Sequence, residues 1–264
     1  MNLVALSEEV IKLTKEVGEF IRGEAKSFSQ DKVEYKGLND LVSYVDKTAE
    51  TKLVTGLSNL LPESGFITEE KTINKIGEVY NWIIDPLDGT TNFIHGIPIF
   101  AISIALKQND KLVIGVVYEI NRDECFSAVK GNGAYLNGAR IQVTKADKIA
   151  DTLLATGFPY YDFSLQKAYL GVLDELIQKS HGLRRIGSAA VDLAYVAAGR
   201  FDAFFEYNLH SWDVAAGILL VQEAGGEVID FSGGDKAIEK RELLATNSKI
   251  TAEMLNIVQK HFSV

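Results

Sequence analysis

Apolar residues near the start of the chain recur in steps of three and four: Leu6, Val10, Leu13, Val17 and Phe20. That spacing stacks them on one side of a helix and predicts an amphipathic first element. The polar stretch 30–39, interrupted by Gly37, reads as a loop. A second helix is expected over 41–60, with Val42, Val45, Ala49, Leu53 and Leu57 on one face and Pro62 just past its end. Phe66-Ile67-Thr68 and Trp82-Ile83-Ile84 are short buried-strand candidates. From 99 onward the period shortens. Residues 99–106, 112–118 and 125–129 read as strands, and Asn137-Gly138 between Tyr135-Leu136 and Ile141-Gln142-Val143 signals a hairpin. The middle of the chain is therefore expected to be antiparallel sheet.

Past the charged, aperiodic segment 144–151 the pattern alternates. Strands are expected over 152–156, 184–186, 201–206, 227–231 and 243–246, and helices over 165–179, 188–198, 211–224 and 251–261. Ser188 and Ser211 are the expected N-caps of the two middle helices, with Gly199 and Gly225-Gly226 as their stops. Alternating helical and sheet blocks give an α/β (α+β) layered architecture. Its two halves, 1–146 and 147–264, are joined near 144–151 into one compact unit.

Composition narrows the function. With 264 residues, 47% of them hydrophobic, the chain can bury a large core. Lys and Arg number 27 against 36 Asp and Glu, a net charge of −9 with no basic stripe. Direct nucleic-acid binding and anionic-membrane binding are disfavoured. The single cysteine, Cys125, excludes an internal disulfide and reads as a packed residue of a reducing compartment. Glu and Lys are scattered through 1–25, unlike a secretory leader. Every apolar run falls short of the ~20 residues that a membrane helix needs. A cytoplasmic protein is expected.

The chemistry concentrates in Trp82-Ile83-Ile84-Asp85-Pro86-Leu87-Asp88-Gly89-Thr90-Thr91-Asn92-Phe93. Its first part reads as a strand, and Asp85 and Asp88 are expected on the turn that follows. Carboxylates fixed at a strand end suit a hard cation such as Mg²⁺. Gly89, Thr90 and Thr91 offer backbone N–H groups to a phosphate at the start of a helix. Asp-Pro, Asp-Gly and Thr-Thr-Asn are also ordinary turn and cap residues, so the pairing alone does not decide. Three further acids stand at element ends: Asp46 in Asp40-Leu41-Val42-Ser43-Tyr44-Val45-Asp46, Glu69 in Phe66-Ile67-Thr68-Glu69-Glu70, and Asp213 in His210-Ser211-Trp212-Asp213.

Asp-Pro-Leu-Asp-Gly-Thr-Thr-Asn-Phe resembles the metal-binding motif of the inositol monophosphatase family. The resemblance runs from Asp40 to Gly226, through Glu69-Glu70, Trp212-Asp213 and Glu223-Ala224-Gly225-Gly226. It implies the family's layered αβαβα sandwich and a Mg²⁺-dependent, Li⁺-sensitive phosphatase acting on a small phosphorylated polyol, inositol 1-phosphate first, as a homodimer. It also implies ligand roles. Glu69, Asp85 and the carbonyl of Leu87 would hold one Mg²⁺, and Asp85, Asp88 and Asp213 a second. A third ion would lean on Glu69. Thr90, backed by Asp46, would orient the attacking water, while Gly89, Thr90 and Thr91 hold the phosphate. Gly187, Ser188 and Ala189 would line the alcohol, and Glu206 would accept hydrogen bonds from its hydroxyls.

Other outcomes stay open within the resemblance. They are a fructose-1,6-bisphosphatase, a phosphoadenosine-phosphate or NADP phosphatase, or chiefly a binding partner of the RNA-synthesis machinery. The chain also departs from the family pattern. Thr68 stands where glycine is usual and Ser43 where threonine is usual. Lys36 precedes Asp40 too closely to be given a role. His95 and His210 read as structural, because hard-oxygen chemistry does not call for imidazole.

Overall fold

Apolar stripes of two periods, helical and strand, fold this chain into layers. The computed structural model describes residues 1–28, 33–37, 40–159 and 162–262, and side chains within 33–37 and 40–42 lie outside the description. Helices α1 (Leu3–Ala25) and α2 (Tyr44–Leu60) form the first layer. The stripe predicted on α1 is right in period but turned slightly. Leu6, Val10, Val17 and Ile21 are buried with Thr14, while Leu13 and Phe20 sit at the edge of the same cluster. Between the two helices, β1 (Val33–Gly37) pairs antiparallel with β2 (Asp40–Ser43). The expected loop thus contains a strand, and the second helix starts at Tyr44 rather than 41. Ser43 sets that start, because its side chain caps the helix from an extended backbone. Val42, expected on the helix face, lies instead in β2, ahead of the helix.

The first sheet is seven-stranded, in the order β3-β4-β5-β6-β7-β8-β9. Its strands are β3 (Gly65–Thr68), β4 (Tyr80–Asp88), β5 (Ala101–Gln108), β6 (Lys111–Glu119), β7 (Glu124–Val129), β8 (Gly133–Leu136) and β9 (Ala139–Ile141), with the five-residue helix α3 (Thr90–Ile94) after β4. Apart from the parallel pair β3–β4, its ladders are antiparallel, as the period predicted. Asn137 and Gly138 turn the last hairpin, both at positive φ (48° and 81°). Cys125 packs inside, and burial pushes its thiol up to about 12.

The second half supplies β10 (Leu153–Thr156), α4 (Gln166–Lys179), β11 (Gly182–Arg184), α5 (Ala189–Ala197), β12 (Ala203–Tyr207), α6 (Ser211–Glu223), β13 (Glu227–Ile229), α7 (Ala237–Lys240), β14 (Glu242–Thr246) and α8 (Thr251–Phe262). Its five strands order as β11-β10-β12-β14-β13. Helices α5 and α6 lie between the two sheets and are apolar nearly all round, as a helix covered on every side must be. Small residues let the layers approach. A Cβ on Gly115 of β6 would sit 2.8 Å from the Ala216 carbonyl of α6, and one on Gly217 would sit 2.5 Å from Leu193. Helices α4 and α8 cover the far face of the second sheet around Tyr169, Phe205, Phe231 and Met254. The result is the expected αβαβα sandwich. No described helix is long and apolar enough to cross a membrane.

Candidate active site

Strand β4 carries the centre of the site, with one correction to the sequence reading. Asp85 and Asp88 do not follow the strand; they belong to it. Asp85 pairs with Ser103 and Asp88 with Ala101, so β4 spends one more residue than β5 over that interval. Residues three apart on a regular strand face opposite sides. The extra residue of this bulge returns Asp85 and Asp88 to the same side. Pro86 sits inside the bulge, where a missing N–H breaks no ladder bond.

The neighbouring acids arrive by pairing and capping. Strand β3 runs parallel to β4 with Thr68 opposite Ile84, and the Glu69 N–H donates to the Ile84 carbonyl at 3.3 Å. Glu69 therefore lands beside Asp85. Asp213 occupies the first turn of α6 and accepts from the His210 N–H at 2.6 Å. The N-cap there is His210, not the expected Ser211; the helix begins one residue earlier because Asp213 closes back onto the His210 backbone. Asp88 Oδ2 accepts from the Ser188 hydroxyl at 2.6 Å and from the Ala190 N–H at 2.7 Å. The carboxylate thus sits at the start of α5 and joins the two halves of the chain. Ser188 is the N-cap of α5 as expected, with the Val191 N–H donating to its Oγ at 3.3 Å.

Asp46 is 1% exposed and does two jobs. Its Oδ2 closes the capping box of α2, accepting from the Ser43 N–H at 2.9 Å and the Ser43 hydroxyl at 2.7 Å. Its Oδ1 lies 3.0 Å from the Thr90 hydroxyl, which lies equally 3.0 Å from the Leu87 carbonyl. That hydroxyl has one proton, so it donates to one of the two at a time. Gly89 makes the corner into α3 at φ +93°, and a Cβ there would meet the Ile99 carbonyl at 3.0 Å. Asn92 anchors the far side, donating to the carbonyls of Ile99 (2.8 Å) and Ile186 (2.9 Å).

These elements enclose one cavity of about 310 Å³. Its lining holds Glu69, Asp85, Leu87, Asp88 and Asp213 together with Gly89, Thr90 and Thr91. Gly187, Ser188, Ala189 and Glu206 line the same cavity, with Ser188 against Asp88. Asp46 stands behind Thr90 rather than on the wall. Of the two histidines, His95 is exposed on the surface. His210 stacks on Trp212 at the rim, with ring centroids 4.4 Å apart. Lys36's side chain lies outside the description.

Electrostatics sets what this cavity accepts. Burial, then the charges of Glu69, Asp88 and Asp213, raise the Asp85 carboxyl well above the ordinary carboxylate range. Burial pushes Asp88 up to about 6 despite its bonds from Ser188 and Ala190, and burial and then Asp88 push Asp213 up to about 7. Among the described residues, no three of the His, Cys, Asp and Glu side chains already close around a point as a ligand set. Carboxylates that repel one another stand apart or share protons until a cation joins them. The donor set is oxygen throughout, carboxylates plus the Leu87 carbonyl, and it fits a hard divalent ion rather than a soft one.

Four contributors escaped the sequence reading. Arg185 was placed in a strand, but β11 ends at Arg184 and Arg185 lines the cavity, its guanidinium 5.4 Å from the Phe158 ring centre. Gly157 follows β10 and lies against the Glu206 carboxyl, a contact made only by sheet pairing. Asp192, in the first turn of α5, is 1% exposed and also lines the cavity. Glu50 is fully buried on α2, where it accepts from the Glu70 N–H, the Thr72 N–H and the Thr72 hydroxyl, each at 2.7 Å, and holds the loop behind Glu69. A signal for Glu50 existed. It follows Asp46 by four residues, on the apolar stripe of a helix where a solvated acid does not belong.

The family model of the inositol monophosphatase family matches residues 3–262. The chain is 43% identical over 251 residues to a "Putative Nus factor SuhB" of Neisseria meningitidis serogroup B, covering 95% of this chain and 96% of that protein. It is 39% identical over 260 residues to an "Inositol-1-monophosphatase" of Mesorhizobium japonicum, covering 98% of both. Its fold superposes on the extragenic suppressor protein suhB of Bartonella henselae with a TM-score of 0.90, at 40% identity over 97% of this chain and 99% of that one. The chain belongs to the inositol monophosphatase family.

Proposed function

We propose that this member of the family is a Mg²⁺-dependent phosphomonoesterase that hydrolyses inositol 1-phosphate or a closely similar polyol phosphate. The observation that carries the reading is that Glu69, Asp85, Asp88 and Asp213 all line one cavity together with Thr90, whose hydroxyl lies 3.0 Å from Asp46. Those four carboxylates and the Leu87 carbonyl would hold two or three ions. Bound there, Mg²⁺ would supply charge to the phosphoryl oxygens, the attacking water and the departing alkoxide.

The chain's own groups do the positioning. With its proton given to Asp46, Thr90 Oγ1 keeps its lone pairs for a proton of the attacking water and holds that water against the wall where the phosphate lies. Asp46 is itself fixed through Ser43, so the direction of this bond is set by the start of α2. The N–H groups of Gly89, Thr90 and Thr91 face the phosphate. The Ser188 hydroxyl is committed to Asp88, so Gly187, Ser188 and Ala189 contribute backbone and surface to the alcohol end. Glu206 is 5% exposed at that end and is the acceptor for alcohol hydroxyls.

The test is phosphate release, with and without Mg²⁺, from inositol 1-phosphate, fructose 1,6-bisphosphate, phosphoadenosine phosphate and NADP. Mg²⁺-dependent preference for the inositol ester is the expected result. Preference for another ester moves the substrate and keeps the chemistry, and release from none overturns the reading. Likeness to a chain named Nus factor favours a second, non-catalytic role in RNA synthesis. That role predicts a complex with transcription components that survives Asp88→Asn. The family resemblance supports a homodimer, to be read from the mass of the protein in solution.

A further inference from the structure

The alcohol end of the cavity contains an acid that the reaction outlined above leaves unused. Asp192 lies in the first turn of α5, four residues after the N-cap Ser188, and its main-chain N–H is committed to the Ser188 carbonyl at 2.9 Å. Its side chain is 1% exposed, lines the cavity, and has an Oδ1 that meets no hydrogen-bond donor among the described residues. A buried carboxyl oxygen without a donor is destabilising by ~1–3 kcal/mol or more, so native structures seldom keep one without a use. Nothing about α5 requires it. The helix is capped by Ser188, and the positions around Asp192 are alanine, valine and leucine.

The surroundings say what the oxygen accepts. Burial, then Glu206 and Asp88, raise the Asp192 carboxyl, and Arg185 opposes them; these three residues therefore stand within electrostatic reach. Glu206 answers to the same Arg185 and to the acids Asp213 and Asp88. Asp88 and Asp213 belong to the metal end. The alcohol end thus presents two acids, Asp192 and Glu206, against one guanidinium. Two acids supply acceptor oxygens, which match the O–H groups of a polyol and oppose a second phosphate.

We propose that Asp192 is a second hydroxyl acceptor at the alcohol end and that, with Glu206, it restricts the site to monoesters of uncharged polyhydroxylated alcohols. This rests on the phosphatase reading above. A hydroxyl of the bound alcohol donates to Asp192 Oδ1 and satisfies the orphaned oxygen, and no covalent change is involved.

The experiment compares wild type, Asp192→Asn and Asp192→Ala on two Mg²⁺-supported substrates, inositol 1-phosphate and p-nitrophenyl phosphate, whose leaving group has no hydroxyls to recognise. Fructose 1,6-bisphosphate is the third. For Asp192→Ala, kcat/KM on the inositol ester should fall about 10- to 100-fold, the span expected when a buried hydrogen-bond partner is lost, and the fall should be mainly in KM. The aryl ester should change less than about 2-fold, and the bisphosphate should gain relative to the inositol ester. Asp192→Asn, nearly the same shape, should hold the melting temperature while it weakens the inositol ester, because a buried acid gives way to a neutral amide with one acceptor fewer. Equal losses on both monoesters, or a drop in melting temperature that accounts for the loss, overturn the proposal. Wild-type protein that releases phosphate from none of these substrates overturns the phosphatase reading itself, and with it this inference.

Discussion

Replacing Gly157 by alanine tests how tightly the alcohol end is built. Gly157 follows β10, whose Thr156 pairs with Phe205 of β12, and so it lies beside Glu206. A Cβ on Gly157 would stand 1.9 Å from Glu206 Oε2, 2.2 Å from its Cδ and 2.4 Å from Oε1. Ordinary contact begins near 3.4 Å, so the carboxyl group must retreat by about 1.5 Å. The atoms displaced are the far end of a side chain, not backbone, and the backbone of Gly157 is not in the left-handed region. Overpacking of this kind costs about 1 kcal/mol when the neighbour can swing away, which is roughly 2–4 °C in a chain of this size. The functional loss should be much larger, because a recognition group displaced by ~1 Å loses up to about 100-fold. Steady-state rates on inositol 1-phosphate and p-nitrophenyl phosphate, alongside melting curves, separate the two. The expected result is a KM for the inositol ester raised 10-fold or more, with the aryl ester nearly unchanged and the melting temperature lowered by only about 2–4 °C. A normal KM, or a collapse of stability with recognition intact, would refute the placement of Glu206.

Three further outcomes follow from the same geometry. Thr90→Ala should lower turnover about 100-fold with little change in melting temperature, whereas Asp46→Ala should lower both, since it also removes the capping box of α2, worth about 1 kcal/mol; paired kinetics and melting curves check this. Asp88 and Asp213 bind protons more tightly in the metal-free folded chain (about 6 and about 7) than when unfolded, so the folded state holds the extra protons at low pH and gives them up as pH rises. The metal-free protein should therefore melt at a lower temperature at pH 7.5 than at pH 5.5, and saturating Mg²⁺ should remove that difference; a metal-free melting temperature that rises over this interval would contradict the cluster's electrostatics. Glu50→Gln should put an amide NH₂ against the donor at Glu70 or those at Thr72, lowering stability by roughly 2–3 kcal/mol and raising the Mg²⁺ concentration needed for half-maximal thermal stabilisation; an unchanged Mg²⁺ titration would free Glu50 from any positioning part.

Much of this molecule was legible in the residues alone, and the exceptions share a cause. Periodicity located the helices and the antiparallel middle sheet because each is a local pattern. The acids at element ends were found through their motif, and all of them line or back one cavity. The bulge at Pro86 was read as a turn because Asp-Pro-Leu-Asp has the same composition in either case; only pairing with β5 separates them. Strand β1 was read as a loop, since Glu34 and Lys36 hide a ladder that depends on β2. Gly157, Arg185 and Asp192 take their roles from the second sheet's strand order and the docking of α5, which no short window contains.

The bond from Ser188 to Asp88 spans 100 residues, and that from Ala190 spans 102. On a growing chain, β4 is made long before either partner exists, and Asp213 is made later still. At 5–20 residues per second, roughly 6–25 s pass between the synthesis of Asp88 and that of Asp213. During that interval the nascent chain displays its first acids without the last one that would close the set. The acid-lined cavity is thus among the final parts of the molecule to be completed, so a chain that ends anywhere before residue 213 cannot assemble it.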